Sequence, residues 1–134
     1  MSVTPQDFFS YAEKILGDAD ESDEMAYRTA IRLGYYAVYH WCREIRDGLI
    51  PESDRVTHVG KHEALIQDLQ GYNRGRDQEI DKLVQTFKRW RSERTNADYE
   101  LNKEFDNKNA QAFLDEVKKR KTEIIDPLLK RART

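Results

Sequence analysis

The sequence predicts an all-α fold, an antiparallel bundle of four to five helices. Three observations carry that expectation. Apolar residues recur at steps of three and four in five successive stretches. Capping residues, glycines and prolines fall between those stretches, where helices start and stop. No segment alternates apolar and polar residues over a useful length, so no strand is expected.

Each element follows from its own residues. Thr4-Pro5-Gln6-Asp7 is a helix start: Thr4 can cap, Pro5 suits the first helical position, and Asp7 stands where a capping acid belongs. Phe8, Ala12, Ile15 and Leu16 follow at helical spacing, and Gly17 with the acidic run Asp18–Glu24 breaks the pattern. The second helix is the most apolar, with Tyr27, Ala30, Ile31, Gly34, Val38, Trp41, Cys42 and Ile45 in a broad stripe that ends near Gly48 and Pro51. Residues 51–60 read as a polar loop, and a short helix with His62, Leu65, Ile66 and Leu69 on one side comes next. Gly71–Asp77 holds two glycines and no apolar period, and reads as a turn. From Asp77, Ile80, Leu83, Val84, Phe87, Trp90, Ala97, Leu101 and Phe105 predict one long helix to about Phe105. Asp106 or Asn107 caps a last helix with Ala110, Phe113, Leu114, Val117, Ile124 and Leu128 on its face. Pro127 should end or kink it, because proline lacks the amide proton and disfavours helix at the preceding residue. The basic end, about residues 130–134, is expected to be mobile.

The length of 134 residues fits one domain with a real core. With 38% hydrophobic and 36% charged residues the chain is polar, but its periodic apolar residues argue against disorder. Lys and Arg total 23 against 25 Asp and Glu, so only a local basic patch could bind nucleic acid. The one cysteine, Cys42, excludes a disulfide framework and a thiolate metal cluster, and agrees with a reducing cytoplasm. The start Met-Ser-Val-Thr-Pro has no signal-peptide pattern, and no apolar run nears the roughly 18 residues of a membrane span, so a cytoplasmic location without membrane partners is expected.

One residue breaks the helical pattern. Along the fourth helix Phe87 and Trp90 are followed by a step of four to Arg94, and then by Ala97 and Leu101. Arg94 stands where an apolar residue should. Asp98 is one turn on and Arg91 one turn back, so the three share a side of the helix. Burying an unpaired charge costs several kcal/mol, so these groups must be paired or reach water in a groove. An Arg94–Asp98 ion pair that merely orders the helix is one reading; a site is the other.

Three segments in order carry a family resemblance. Ala26–Ile45, AYRTAIRLGYYAVYHWCREI, resembles the second helix of HEPN domains. Gly60–Ile66, GKHEALI, resembles the short helix that follows it, and Arg91–Leu101, RSERTNADYEL, resembles the family signature of an arginine followed by Ala-Asp-Tyr. The resemblance implies a helical bundle, usually a homodimer, that in many members is a metal-independent endoribonuclease of a toxin–antitoxin or antiviral defence system. It implies RNA as the target and an antitoxin or a nucleotidyltransferase as the partner to expect, with no cofactor and no metal. The family motif pairs an arginine, which holds the scissile phosphate, with a histidine a few residues on, which helps move the 2′-hydroxyl proton; the two motifs of a dimer meet in one cleft. By that resemblance Arg94 clamps phosphate, Asp98 and Asn96 orient it, Tyr99 or His40 assists, and Arg91 widens the positive patch. This chain departs from the motif: no histidine follows Arg94, and the position five residues on is Tyr99. Either catalysis uses other groups or the chain is a non-catalytic module that binds a nucleotide, a nucleic acid or a partner protein.

Other residues admit two readings each. Arg28, Arg32, Tyr35, Tyr39 and Arg43 align on one face of the second helix; arginines among aromatics can bind phosphates and stack bases, or the tyrosines are core and the arginines cover its rim. His40 can serve as a proton carrier or be bonded to a neighbour. His58 and His62 have a spacing that can hold a metal on a helix, but Gly60 lies between them and no acidic motif is near. Cys42 reads as a small buried hydrophobe.

Overall fold

The computed structural model describes residues 2–73 and 77–134. The chain is all-α. Helices α1 (Pro5–Asp18), α2 (Glu24–Leu49), α3 (Lys61–Asn73), α4 (Gln78–Tyr99), α5 (Asn107–Arg120) and α6 (Asp126–Ala132) are joined by loops, a 3-10 turn at Glu52–Asp54 and a π turn at Lys121–Ile125. The π turn links α5 to α6 without a break, so the helices form five runs packed on apolar faces, and the described residues contain no strand. No helix among them is long and apolar enough to cross a membrane. The packing groups the chain into two compact units, Met1–Val38 with Trp90–Lys119, and Tyr39–Arg89 with Arg120–Thr134.

In the first unit, α1 begins as its sequence dictates. The Thr4 hydroxyl accepts from the Asp7 amide at 3.2 Å, and the Asp7 carboxylate accepts from the Thr4 amide at 2.7 Å, a reciprocal capping box. The helix buries Phe9, Ala12 and Leu16; Phe8, expected inside, is half-buried. They share the unit's core with Tyr27, Ile31 and Tyr35 of α2, Trp90 and Ala97 of α4, and Phe113, Leu114 and Val117 of α5. Each large side chain among these stabilises the fold by about 1.5–3 kcal/mol. Gly34 lets α2 and α5 approach closely, since a Cβ there would lie 2.8 Å from Leu114 Cδ2 and 3.1 Å from Phe113 Cε1.

The expected extension of α4 to Phe105 does not occur: the helix stops at Tyr99, and Leu101 is 77% exposed. The cause is Arg28. Its Nη1 donates to the Ala97 carbonyl at 2.8 Å, and its Nη2 donates to the carbonyls of Glu100, at 3.1 Å, and of Lys103. The last carbonyls of a helix lack intrahelical donors, and an arginine from a neighbouring helix supplies them here. The next helix, α5, starts with another reciprocal pair, Asp106 Oδ1 accepting from the Asn109 amide at 2.8 Å and Asn109 Oδ1 from the Asp106 amide at 3.0 Å.

In the second unit, α2 contributes Trp41, Cys42 and Ile45, α3 Leu65, Ile66 and Leu69, α4 Ile80, Leu83 and Phe87, and the last run Ile124, Ile125, Leu128 and Leu129. Gly71–Asn73, expected in a turn, form the last residues of α3, while 74–76 lie outside the described residues. The polar loop is anchored by buried Asp68, which accepts from the Val56 amide at 2.8 Å and from Arg46 Nη1 at 3.3 Å. Pro127 neither ends the last run nor stands alone as a kink. The amide of Asp126 donates to Lys121, five residues back, which makes the π turn, and Pro127, which has no amide proton to continue the ladder, follows directly after it. The basic end, expected to be mobile, is helical to Ala132; Arg131 pairs with Asp77 at 2.7 Å and Arg133 with Glu44 at 2.6 Å.

Candidate functional site

Arg94 lies on the stretch of α4 that belongs to the first unit, with its side chain only 12% exposed. One turn on, Asp98 Oδ2 is 3.3 Å from Arg94 Nη1. The second oxygen of Asp98, Oδ1, is 4.0 Å from Nε of Arg32, which reaches across from α2 and is about half exposed. One carboxylate thus stands between two guanidiniums, and the three groups together carry one net positive charge.

Two rings of α2 back this cluster. The Arg94 guanidinium carbon is 5.0 Å from the centre of Tyr35 and 5.8 Å from that of Tyr36. The rings stand edge to face, 5.6 Å apart. Contact with ring faces attracts the cation electrostatically and offsets part of its lost hydration. The Nε–H of Arg94 is buried and has no hydrogen-bond partner among the described residues. An unmet buried donor costs about 1–3 kcal/mol, so the guanidinium is held by rings and one carboxylate at some expense to stability.

The structure brings some of the expected residues together and leaves others elsewhere. Arg94, Asp98 and Arg32 form one cluster. Arg91 is half-buried one turn before Arg94 on the same helix. Arg28, expected to bind phosphate, is 5% exposed; besides the three carbonyls it bonds Glu24 through Nε at 2.9 Å and lies 4.6 Å from the Phe105 ring centre. Its donors serve the end of α4, which corrects the expectation of a phosphate ligand. Asn96, two residues from Arg94, points to a different side of α4 and lines a hollow that neither Arg94 nor Asp98 lines. Tyr99, the last residue of α4, is 71% exposed. His40 belongs to the second unit, where its ring stands edge-on to Tyr39 at 5.2 Å; burial and then the charge of Arg43 hold its pKa below the ordinary value of 6.5.

Sequence reasoning missed the Arg94–Tyr36 contact and did not link Tyr35 to Arg94. The adjacent tyrosines were visible, but the register between α2 and α4 is written in no local spacing. His62 stacks on Tyr39, ring centres 4.4 Å apart, while His58 is exposed. Cys42 is fully buried, and burial pushes its thiol far above its ordinary range. Among the described residues no three His, Cys, Asp or Glu side chains gather as a metal site would require.

Compared with protein-family models, curated proteins and solved structures, the chain gives no significant match.

Proposed function

We propose that the chain is an RNA-directed protein on a HEPN-like antiparallel bundle, working as a homodimer in a toxin–antitoxin or antiviral setting. The observation that carries this reading is Arg94 itself: a nearly buried guanidinium on an apolar stripe, backed by Tyr35 and Tyr36 and left with a net positive neighbourhood by Arg32. A fixed guanidinium suits a phosphate that gains charge as its ester bond breaks. Arg32, more exposed, is placed to meet the phosphate first, and Asp98 keeps both cations in register.

A second reading, a non-catalytic module that holds a nucleotide, a nucleic acid or a partner protein, is favoured by one feature. Asp98 is flanked by two arginines and is better suited as their counter-ion than as a base. The first unit has no histidine in its sequence to replace it.

The test is an RNA cleavage and binding assay with EDTA present, on wild type and Arg94→Ala, both checked by circular dichroism. Metal-independent cleavage lost only in the variant supports the ribonuclease. Binding that weakens about tenfold in the variant, with no cleavage by either protein, supports the binding module. Equal binding and equal cleavage by both would end both readings.

A further inference from the structure

A hollow of about 460 Å³ opens in the first unit, and it is distinct from the Arg94 cluster. Its apolar lining comes from Ile31 of α2, Phe105, and Ala112 and Phe113 of α5; Ile31 and Phe113 are buried, Phe105 half-buried and Ala112 exposed. A volume of this size suits a small ligand.

The wall at Phe105 is built before any ligand arrives. Residues 100–106 lie between α4 and α5, and an unsupported loop there would move. Instead Arg28 takes the carbonyls of Glu100 and Lys103, and its guanidinium lies against the Phe105 ring. A wall held by a buried arginine need not be ordered on binding, which removes part of the entropic cost of association.

The charges around this lining are sorted along α5. Toward one end are carboxylates: Glu116, which accepts the indole N–H of Trp90, and Glu93, one turn after Trp90 on α4. Toward the other end are two lysines, Lys108 in the first turn of α5 and Lys103 in the loop before it, with Glu104 next to Lys103 in the chain. Lys108 and Glu116 are eight residues apart on one helix, about 12 Å along its axis at 1.5 Å per residue. Two amide side chains, Asn96 and Asn109, complete the lining.

We propose that this hollow is a binding site for a short apolar peptide of two or three residues with both termini free. Its ammonium group meets Glu93 and Glu116, and its carboxylate meets Lys103 and Lys108. An extended chain advances about 3.3–3.6 Å per residue, so two or three residues bridge poles at this separation once the long side chains lean inward. Asn96 offers a donor and an acceptor, the pattern a peptide group requires, and Asn109, whose Oδ1 is taken by the Asp106 amide, adds the donor of its NH2 group. Phe105 and Ala112 take the peptide's side chains.

The test is isothermal titration of the full chain with tripeptides Ala-X-Ala, X running over the apolar residues, at millimolar concentration. At least one peptide is expected to bind, and acetylating its amine or amidating its carboxylate should each weaken it about tenfold, the effect of losing one charge-assisted contact. Ala112→Trp, an exposed position on α5 where a large ring would fill the hollow, should abolish binding while circular dichroism and melting stay those of wild type. Failure of every tripeptide to bind would overturn the proposal. So would binding indifferent to capping of both termini, or undiminished in a folded Ala112→Trp. RNA plays no part in this assay, so its outcome is independent of the Arg94 reading.

Discussion

Arg28 and Ala97 are joined by a hydrogen bond of 2.8 Å between a side chain near the start of α2 and a carbonyl near the end of α4. The same guanidinium reaches Glu100 and Lys103, so one buried residue sets where α4 stops and where the following loop runs. Arg28→Ala should lower the unfolding free energy by about 3–5 kcal/mol, since it leaves several carbonyls short of donors and a hole beside Phe105. Arg28→Lys should recover only a minor part, because an ammonium cannot spread three bonds in the fork of a guanidinium. Urea denaturation of the three proteins measures this; a loss below about 1 kcal/mol in Arg28→Ala would show that the loop does not depend on it.

Two glycines should respond in opposite directions. Gly34→Ala pushes a methyl group against Leu114 and Phe113, and overpacking of this kind costs about 1–3 kcal/mol. Gly17 lies in the last turn of α1, and a methyl group added there would meet nothing within 4 Å. Gly17→Ala should therefore stabilise by about 0.5–1 kcal/mol through helix propensity alone. Thermal melts should place the two variants on either side of wild type.

His40 gives the second unit a dependence on pH. Its folded pKa is lowered, by burial first and by Arg43 second, so the folded state resists protonation more than the unfolded chain does. The stability tied to this residue is therefore full above the unfolded value of 6.5 and declines as pH falls through the folded one. His40→Gln should flatten the stability profile between neutral pH and the lower value. Chemical denaturation at a series of pH values reads this out, and an unchanged slope in the variant would remove His40 as its source.

Much of the architecture was legible because it is local. The Thr4–Asp7 box, the break after α1, the stripe of α2 and the cap at Asp106 depend on residues a few positions apart, and the structure has each of them. What failed depends on contacts from far along the chain. The apolar spacing of Leu101 and Phe105 continues a helical pattern, but the donors of Arg28 end the helix first. Asn96 fell next to Arg94 in the sequence yet faces another hollow, because two helical steps turn a side chain by about 200°. Arg94 itself was visible as a charge on an apolar stripe; the tyrosine rings and Arg32 that receive it come from α2, and only the packed helices bring them there.

The π turn at Lys121–Ile125 also bears on how the chain tolerates changes of length. A turn closed over five residues is an α-helix carrying one surplus residue. Removing that residue and restoring regular winding would leave everything beyond it in the same phase, with Leu128 and Leu129 still directed into the core they now fill. A chain one residue shorter at this point would keep the same apolar positions after it. The wide turn therefore works as a slack loop in the winding: it takes up one residue of length without passing a twist on to the final helix.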